Sequence, residues 1–287
     1  MRISVFNQKG GVGKTTTALN LAAACRRNSP NNKDDSVLLI DVDPEAHLSM
    51  INGVIINNPE DSVFGVFNSG VAIKSIWRDW HDLGNNGLSV KFIPAHAQMA
   101  RADTLFGRGP DTLHKLSRAL RSGNLSESTV IFDCSPHLGV LSLAALFSSD
   151  LVLIPVSADY ISVNGTERCT RTLKVLEPVL KRKLERRYLL TRFDRRREMC
   201  LKAERQLSET YGEELCKQII PELSALAESP GSGRDIFSFA PHTIASNSYQ
   251  GLFEELASRY SLPLRVAEVI NMATAASSRR TVASLKN

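Results

Sequence analysis

A glycine-rich loop that carries two lysines occupies residues 9–16, between a short apolar run and a stretch with helical periodicity. Glycines let the backbone bend so that successive N–H groups point at phosphate oxygens, and the N-terminus of the following helix adds its positive dipole. In such a loop Lys14 reaches the terminal phosphates of a nucleotide, and the Thr15 hydroxyl binds a metal ion. The strand–loop–helix context favours this interpretation over the alternative, a glycine-rich turn without a ligand.

Three aspartates could complete such a site. Asp133 ends the apolar run 130–132, and Asp41 and Asp43 follow the run 37–40. An acid that ends a strand in front of a phosphate loop holds a magnesium ion or one of its waters. An acid at this place can instead cap a helix. Three of them in one chain with a phosphate loop favour the ligand site.

Strand-like runs alternate with helical stretches along the chain, which predicts a doubly wound α/β fold with a mostly parallel sheet flanked by helices. The predicted strands span residues 3–6, 37–40, 130–132, 151–155, 188–191 and 218–221, and the first helix spans 16–26. Residues 139–158 are about as long as a membrane span, but their central serines, aspartate and proline predict a helix, a turn and a buried strand instead.

Other segments carry weaker structural signals. Residues 28–36 predict a surface loop, and residues 51–87 a short helix and a loop. No convincing linker divides the chain. We therefore expect one domain over residues 1–287, whose C-terminal tail at about 262–287 can lie at its periphery.

The composition is that of an ordinary globular protein, with 43% hydrophobic and 23% charged residues. The net charge of +5 permits a polyanionic partner without requiring one. The five cysteines are scattered and form no C-x-x-C pair, which is typical of a reducing compartment and argues against a zinc or iron–sulfur site. Because the chain starts at once with an apolar strand, we expect no signal peptide and a cytoplasmic protein.

Several motifs resemble those of the ParA/Soj/MinD family of partitioning ATPases, and the ParA/Soj type most closely. Residues 7–16 (NQKGGVGKTT) are similar to the deviant Walker A motif of that family, in which Lys9 matches the second, signature lysine. Residues 39–44 (LIDVDP) resemble its second motif, and residues 133–136 (DCSP) its Walker B motif. Weaker similarities at 93–95, 153–156, 191–194 and 220–221 extend the resemblance over residues 2–260.

The resemblance implies a P-loop ATPase that binds ATP with Mg²⁺ and forms an ATP-dependent homodimer, with a small ParB-like activating partner. Thr15, Asp41 and Asp133 would hold the metal. Lys9, Lys14 and Asp43 would carry a slow hydrolysis, in which Lys9 crosses to the partner's phosphates and Asp43 orients the attacking water. The implied nucleotide-binding residues are Lys9, Gly10, Gly11, Val12, Gly13, Lys14, Thr15, Thr16, Asp41 and Pro221.

Two residues depart from the family pattern. Glu45 stands where glutamine is common, and Glu222 follows Pro221 where arginine is frequent. A carboxylate close to the γ-phosphate is repelled unless it points away or meets a cation. Glu45 therefore keeps open an alternative class, a nucleotide-dependent scaffold with little or no hydrolysis.

A basic run between residues 181 and 197 contains nine lysines and arginines and two acids. It predicts either a solvated surface without a partner or a patch that binds DNA phosphates without sequence preference. Family members bind DNA near this strand, and Arg195 and Arg196 best match that place. A MinD-like protein acting on a membrane is disfavoured, because the tail 277–287 has only two sizeable apolar residues.

Overall fold

The computed structural model of the protein describes residues 1–29, 37–80 and 90–260. Within these residues seven strands form one sheet: β1 (Arg2–Val5), β2 (Val37–Asp41), β3 (Arg78–Trp80), β4 (Val90–Ile93), β5 (Thr129–Asp133), β6 (Leu151–Ser157) and β7 (Glu185–Thr191). Their order is β3-β4-β2-β5-β1-β6-β7. Neighbouring strands are parallel except for β3, an edge strand antiparallel to β4.

Helices connect the strands. They are α1 (Lys14–Arg27), α2 (His47–Ile51), α3 (Val63–Asn68), α4 (Ala102–Phe106), α5 (Pro110–Leu113), α6 (Lys115–Ser122), α7 (Val140–Ser148), α8 (Tyr160–Leu180), α9 (Glu198–Tyr211), α10 (Ser224–Glu228), α11 (Ile236–Phe239) and α12 (Ile244–Tyr260). Short 3-10 turns lie at Pro59–Asp61, Ile73–Ser75, Ala97–Arg101, Gly212–Glu214 and Ser229–Ser232.

The sheet separates two hydrophobic cores, because successive residues of a strand point to opposite faces. In β2, Leu38 and Ile40 join one core and Val37 and Leu39 the other. Helices α3, α6, α7, α8 and α9 contribute to the first core, and α1, α11 and α12 to the second. Both faces of the sheet are therefore covered by helices, which confirms the doubly wound fold.

The predicted strands near the N-terminus and in the centre of the chain are confirmed, but the prediction for residues 218–221 was wrong. This segment runs beside β7 without forming a strand: the Ile220 N–H donates to the Leu190 carbonyl at 2.9 Å, and Pro221 forms one isolated bridge, with Phe193 just after β7. The backbone N–H groups of Lys217 and Gln218 donate to the Glu255 carboxylate and not to β7, so no continuous ladder of hydrogen bonds forms here. The prediction for residues 51–87 missed β3, where Trp80 is buried with its ring edge-on to Phe92.

The predicted loop at residues 28–36 is only partly covered by the structure. Asn28 and Ser29 are buried, and the Asn28 side chain donates a hydrogen bond to the side-chain oxygen Oε1 of Gln250, so these two residues are not on the surface. Residues 30–36, residues 81–87 and the tail 262–287 lie outside the described residues. Among the helices that the structure describes, none is long and apolar enough to cross a membrane.

The basic run does not form one continuous surface. Arg186 and Arg187 are consecutive in β7, so their side chains lie on opposite faces of the sheet. Both are buried: Arg186 pairs with Glu177 of α8 at 3.1 Å, and Arg187 pairs with Glu255 of α12 at 2.6 Å. These two arginines fasten a helix to each face of the sheet and are unavailable to DNA.

This pairing predicts a large effect on stability. Glu255 also accepts hydrogen bonds from the backbone N–H groups of Lys217 and Gln218. Glu255→Ala should lower the free energy of unfolding by about 3 kcal/mol, because it removes the carboxylate that neutralises the buried Arg187 charge and leaves only the carbonyls of Glu213 and Leu215 as its acceptors. Urea denaturation measures the loss. Glu167→Ala is the control: Glu167 pairs with Arg171 on the exposed side of α8, and its removal should cost about 0.5 kcal/mol or less. Equal losses in the two variants would contradict this account.

Candidate nucleotide-binding site

The glycine-rich loop joins β1 to α1 at the carboxyl edge of the sheet. Gly11 and Gly13 have φ angles of 74° and 86°, in the left-handed region that glycine adopts without strain. Gly13 is the N-cap of α1, and its carbonyl accepts the first helical hydrogen bond, from Thr17. Asn7 anchors the start of the loop by donating to the carbonyl of Pro155 and accepting from the backbone of Lys9.

Lys14 lies under this loop and is buried. Its ammonium donates to the carbonyl oxygen of Lys9 at 3.0 Å. Burial lowers the pKa of Lys14, and the nearby carboxylates of Asp133 and Asp43 act in the opposite direction. A buried ammonium at the N-terminus of a helix, beside a curled glycine loop, is suited to binding phosphate oxygens.

Two residues at the end of β7 hold the loop from behind. The Thr191 hydroxyl donates to the carbonyl of Val12 at 2.9 Å, and the Arg192 guanidinium to that of Gly11 at 3.3 Å. Because these two carbonyls point toward β7, the N–H groups of the loop are favoured to point the other way, away from β7. The sequence analysis missed both roles, because the partners are about 180 positions apart.

Asp133 is the buried acid with open coordination capacity. It ends β5, is 1% exposed, and neither carboxylate oxygen has a hydrogen-bond partner among the described residues. Burial raises its pKa well above the usual value, the charge of Asp41 raises it further, and the nearby Thr15 hydroxyl and Lys14 act against the rise. A buried carboxylate whose lone pairs accept no hydrogen bond from the described residues, and which lies beside a hydroxyl, fits a hard cation such as Mg²⁺.

Asp41 lies beside Asp133, since the parallel register of β2 and β5 pairs the two residues. Its carboxylate already accepts three hydrogen bonds: from the Asp43 N–H at 3.1 Å, the Ser49 N–H at 3.0 Å and the Ser49 hydroxyl at 2.7 Å. Ser49 in turn accepts from the Ala95 N–H. Asp41 therefore organises the loop between β2 and α2, and Asp133 is the better candidate for contact with the metal. Sequence reasoning missed Ser49.

Asp43 faces the site from that loop and is 7% exposed. Its carboxylate accepts from the Glu45 N–H at 3.0 Å, and the following Ala46 has a φ of 53°. The Glu45 side chain is 68% exposed and lies 3.5 Å from the exposed His47 ring. Glu45 therefore points to solvent, which removes the repulsion that its position in the sequence suggested.

Lys9 is folded back onto its own chain. Its ammonium donates to Asp159 at 2.9 Å and to the Ser162 hydroxyl at 2.5 Å, at the N-terminus of α8. Burial opposes ionisation of Asp159, but hydrogen bonds from Ser162 and Lys9 bring its pKa below the usual value. Asp159 is also the N-cap of α8, where its carboxylate accepts from the Ser162 N–H, and no prediction from the sequence included these two residues.

A cavity of about 220 Å³ opens beside the loop. It is bordered by Gly11, Gly13 and Thr16 on one side and by the predicted Pro221 on the other. Much of the remaining lining is apolar: Ile220, Leu223, Leu226, Ala227 and Tyr249. The structure thus brings together the predicted loop residues, the acids Asp41, Asp43 and Asp133, and Pro221.

Arg195 and Arg196 lie apart from this cavity's lining, in an exposed turn between β7 and α9. Arg196 donates to Asp194 at 2.8 and 2.9 Å, although its side chain is 90% exposed. Arg197 also lies 3.6 Å from Asp194. The positive charge of this turn is therefore partly offset by one carboxylate.

The fold and the site geometry are those of a P-loop nucleoside triphosphatase. The family model described as "AAA domain" (AAA_31) matches residues 1–186. The chain is 32% identical over 259 residues to the chromosome-partitioning ATPase Soj of Thermus thermophilus, covering 90% of this chain and 96% of that protein. It is 28% identical over 256 residues to the sporulation initiation inhibitor protein Soj of Bacillus subtilis, covering 89% and 97%.

Among solved structures, cobyrinic acid a,c-diamide synthase from Mycobacterium smegmatis with bound ATP analogue and magnesium has the same fold. The TM-score is 0.73 at 23% identity, over 92% of this chain and 98% of that one. The chain therefore belongs to the ParA/Soj/MinD family of P-loop ATPases with a deviant Walker A motif.

Proposed function

We propose that this protein is a ParA-like ATPase, an ATP-dependent dimeric switch that binds DNA non-specifically and positions or segregates a cargo such as a plasmid, a chromosome or a protein assembly. The observation that carries the proposal is the combination of a phosphate loop, the additional Lys9 and a buried Asp133 whose carboxylate has no hydrogen-bond partner in the described part of the chain. A P-loop enzyme of metabolism would not need Lys9. Relatives of similar length named for chromosome partitioning support the same class.

ATP with Mg²⁺ is the proposed ligand. The loop N–H groups, the N-terminus of α1 and Lys14 would bind the phosphates, while Thr15 and Asp133 would hold the metal. When bound, magnesium neutralises charge on the phosphate oxygens. Asp43 would orient the attacking water from the loop that Asp41 fixes. Phosphoryl transfer then depends on positioning and electrostatics, and without an activator we expect it to be slow.

Lys14 and Thr15 make the proposed phosphate and metal contacts. Lys14→Ala should weaken binding of Mg·ATP by at least about 100-fold, because it removes the buried charge beside the phosphates. Thr15→Ala should weaken binding only when Mg²⁺ is present. Calorimetric titration measures both, with Lys202→Ala, an exposed helical lysine paired with Glu198, as the control. Unchanged affinity in Lys14→Ala would rule out the phosphate site.

Lys9 supplies the proposed link between ATP and dimerisation. In the single chain it is paired with Asp159, and their side chains are 33% and 37% exposed. A partly exposed ion pair contributes only about 1 kcal/mol or less, so a partner's bound phosphates, which carry more charge, can compete for Lys9. We therefore propose that Lys9 leaves Asp159 when the ATP dimer forms.

The second prediction separates dimerisation from nucleotide binding. Lys9→Ala should bind ATP with nearly unchanged affinity, because the Lys9 ammonium contacts Asp159 and Ser162 and not the phosphate site of its own chain. It should stay monomeric, because the proposed contact with the partner's phosphates is lost. Asp43→Ala should instead accumulate as an ATP-bound dimer, since hydrolysis loses its water-orienting group. Light scattering coupled to size-exclusion chromatography, with ATP or ADP, reports both masses. A Lys9→Ala protein that dimerises normally with ATP would contradict the role of Lys9.

DNA binding is proposed for the turn that contains Arg195 and Arg196. The pairing of Arg196 with Asp194 lies in solvent, so phosphates can compete for this arginine at little cost. A single copy offers few charges, whereas a dimer doubles them. A cytoplasmic, nucleoid-associated protein with a small ParB-like activator would follow. The alternative is a MinD-like or scaffold-type protein on a protein or membrane platform; the solvent-facing Glu45 removes the main argument for a scaffold without hydrolysis.

The third prediction tests this DNA surface. If four arginines of a dimer contact four phosphates, raising salt from about 50 to 200 mM should weaken binding about 100-fold. Replacing both Arg195 and Arg196 with glutamate should abolish binding and leave ATP-dependent dimerisation intact. Fluorescence anisotropy on two unrelated duplexes, with ATP and with ADP, is the measurement. Failure of the ATP dimer to bind either duplex at low salt would sink the DNA proposal and favour another platform.

A further inference from the structure

Arg192 is distinguished from the rest of the basic run by its backbone and its contacts. It directly follows β7 and has a φ of 54°, in the left-handed region that costs a non-glycine residue about 1 kcal/mol or more. Such a conformation persists only where surrounding contacts hold it. Here the guanidinium makes those contacts, because it is hydrogen-bonded to two separate segments of the chain.

The first contact is with the phosphate loop, where Nη1 donates to the Gly11 carbonyl at 3.3 Å. The second is a two-pronged pair with Glu222, in which Nε donates to Oε2 at 2.9 Å and Nη2 to Oε1 at 3.1 Å. The hydrogen bonds to Glu222 and the charge of Glu222 raise the pKa of Arg192. Arg192 therefore ties the loop at residues 9–13 to the segment that follows Pro221.

These two segments are opposite walls of the 220 Å³ cavity, and both members of the pair line it. The N–H groups of the loop and the N-terminus of α1 take the phosphates, so the ribose and base must extend away from them. The cavity's apolar lining, with Leu223, Leu226 and Tyr249, suits the flat face of a base.

We propose that Arg192 and Glu222 form a clasp that closes the nucleoside side of the pocket and thereby strengthens the binding of ATP over that of its phosphate chain alone. The clasp rests on the proposed binding of ATP at this loop. It acts by holding the wall at residues 220–227 against the loop, so both residues are positioning residues. It also assigns Glu222 a role within the nucleotide pocket, where the sequence showed only a departure from the family pattern.

The test compares two ligands on three variants. The variants are Arg192→Met, which keeps the length of the side chain without its charge, Glu222→Gln, and the two together. The ligands are ATP and inorganic tripolyphosphate, each with Mg²⁺, titrated by calorimetry. Arg108→Met is the matched control, because Arg108 makes an equally two-pronged, exposed pair with Asp103 outside the cavity lining.

Each single variant should bind ATP about fivefold more weakly, the size expected of a well-aligned but partly exposed ion pair. The double variant should be no weaker than the singles, because either change already opens the clasp. Tripolyphosphate affinity should not change in any variant. A general distortion of the loop would weaken both ligands, so the second ligand separates a clasp from a purely structural role.

Three results would overturn the clasp alone. Equal losses for ATP and tripolyphosphate would make Arg192 a phosphate ligand or a support of the loop. A loss in Arg192→Met with none in Glu222→Gln would mean that the arginine acts alone. ATP affinity unchanged in all three variants, with the unaltered protein binding ATP, would remove the clasp and leave the proposed ATPase intact. An unaltered protein that does not bind ATP would overturn both proposals.

Discussion

Three parallel strands that end side by side create the electrostatic problem around which this site is built. The register pairs Val5 with Asp133 and Asp133 with Asp41, so the start of the phosphate loop and two carboxylates meet at one edge of the sheet. Both acids are buried, and burial raises the pKa of each; the charge of Asp43 adds to the rise for Asp41, and the charge of Asp41 adds to the rise for Asp133. The arrangement is costly unless cations and hydrogen-bond donors compensate it.

The compensation differs between the two acids. The Asp41 carboxylate accepts hydrogen bonds from Asp43 in the following loop and from Ser49 in α2, and these bonds fix the segment that carries Asp43. Asp133 has the nearby Lys14 and Thr15 to offset its charge, and its two carboxylate oxygens accept no hydrogen bond from the described residues. A divalent cation with phosphates would satisfy Asp133 and Lys14 together. One acid therefore organises the site, and the other is left for the ligand.

Much of this arrangement could be predicted from local sequence. The phosphate loop and the strand-ending acids depend on neighbours a few positions away, so short motifs reveal them. Thr191, Arg192 and Asp159 act through partners 150 to 181 positions away that the fold brings close, so no local pattern identified their roles. The basic run misled for a related reason: composition counted Arg186 and Arg187 as surface charge, whereas each is buried against a glutamate of a different helix. The predicted strand at 218–221 failed because the Glu255 carboxylate, from distant α12, accepts the Lys217 and Gln218 N–H groups in place of β7.

The central claim, that Asp133 is an acid completed by a metal together with ATP, is tested most directly by calorimetric titration of ATP with and without Mg²⁺. The unaltered protein and Asp133→Asn, which keeps the shape of the side chain and removes its charge, are compared. We predict that Mg²⁺ strengthens ATP binding in the unaltered protein and that this strengthening is largely lost in Asp133→Asn, while metal-free ATP binds the variant at least as well. An equal gain from Mg²⁺ in both proteins would contradict the account.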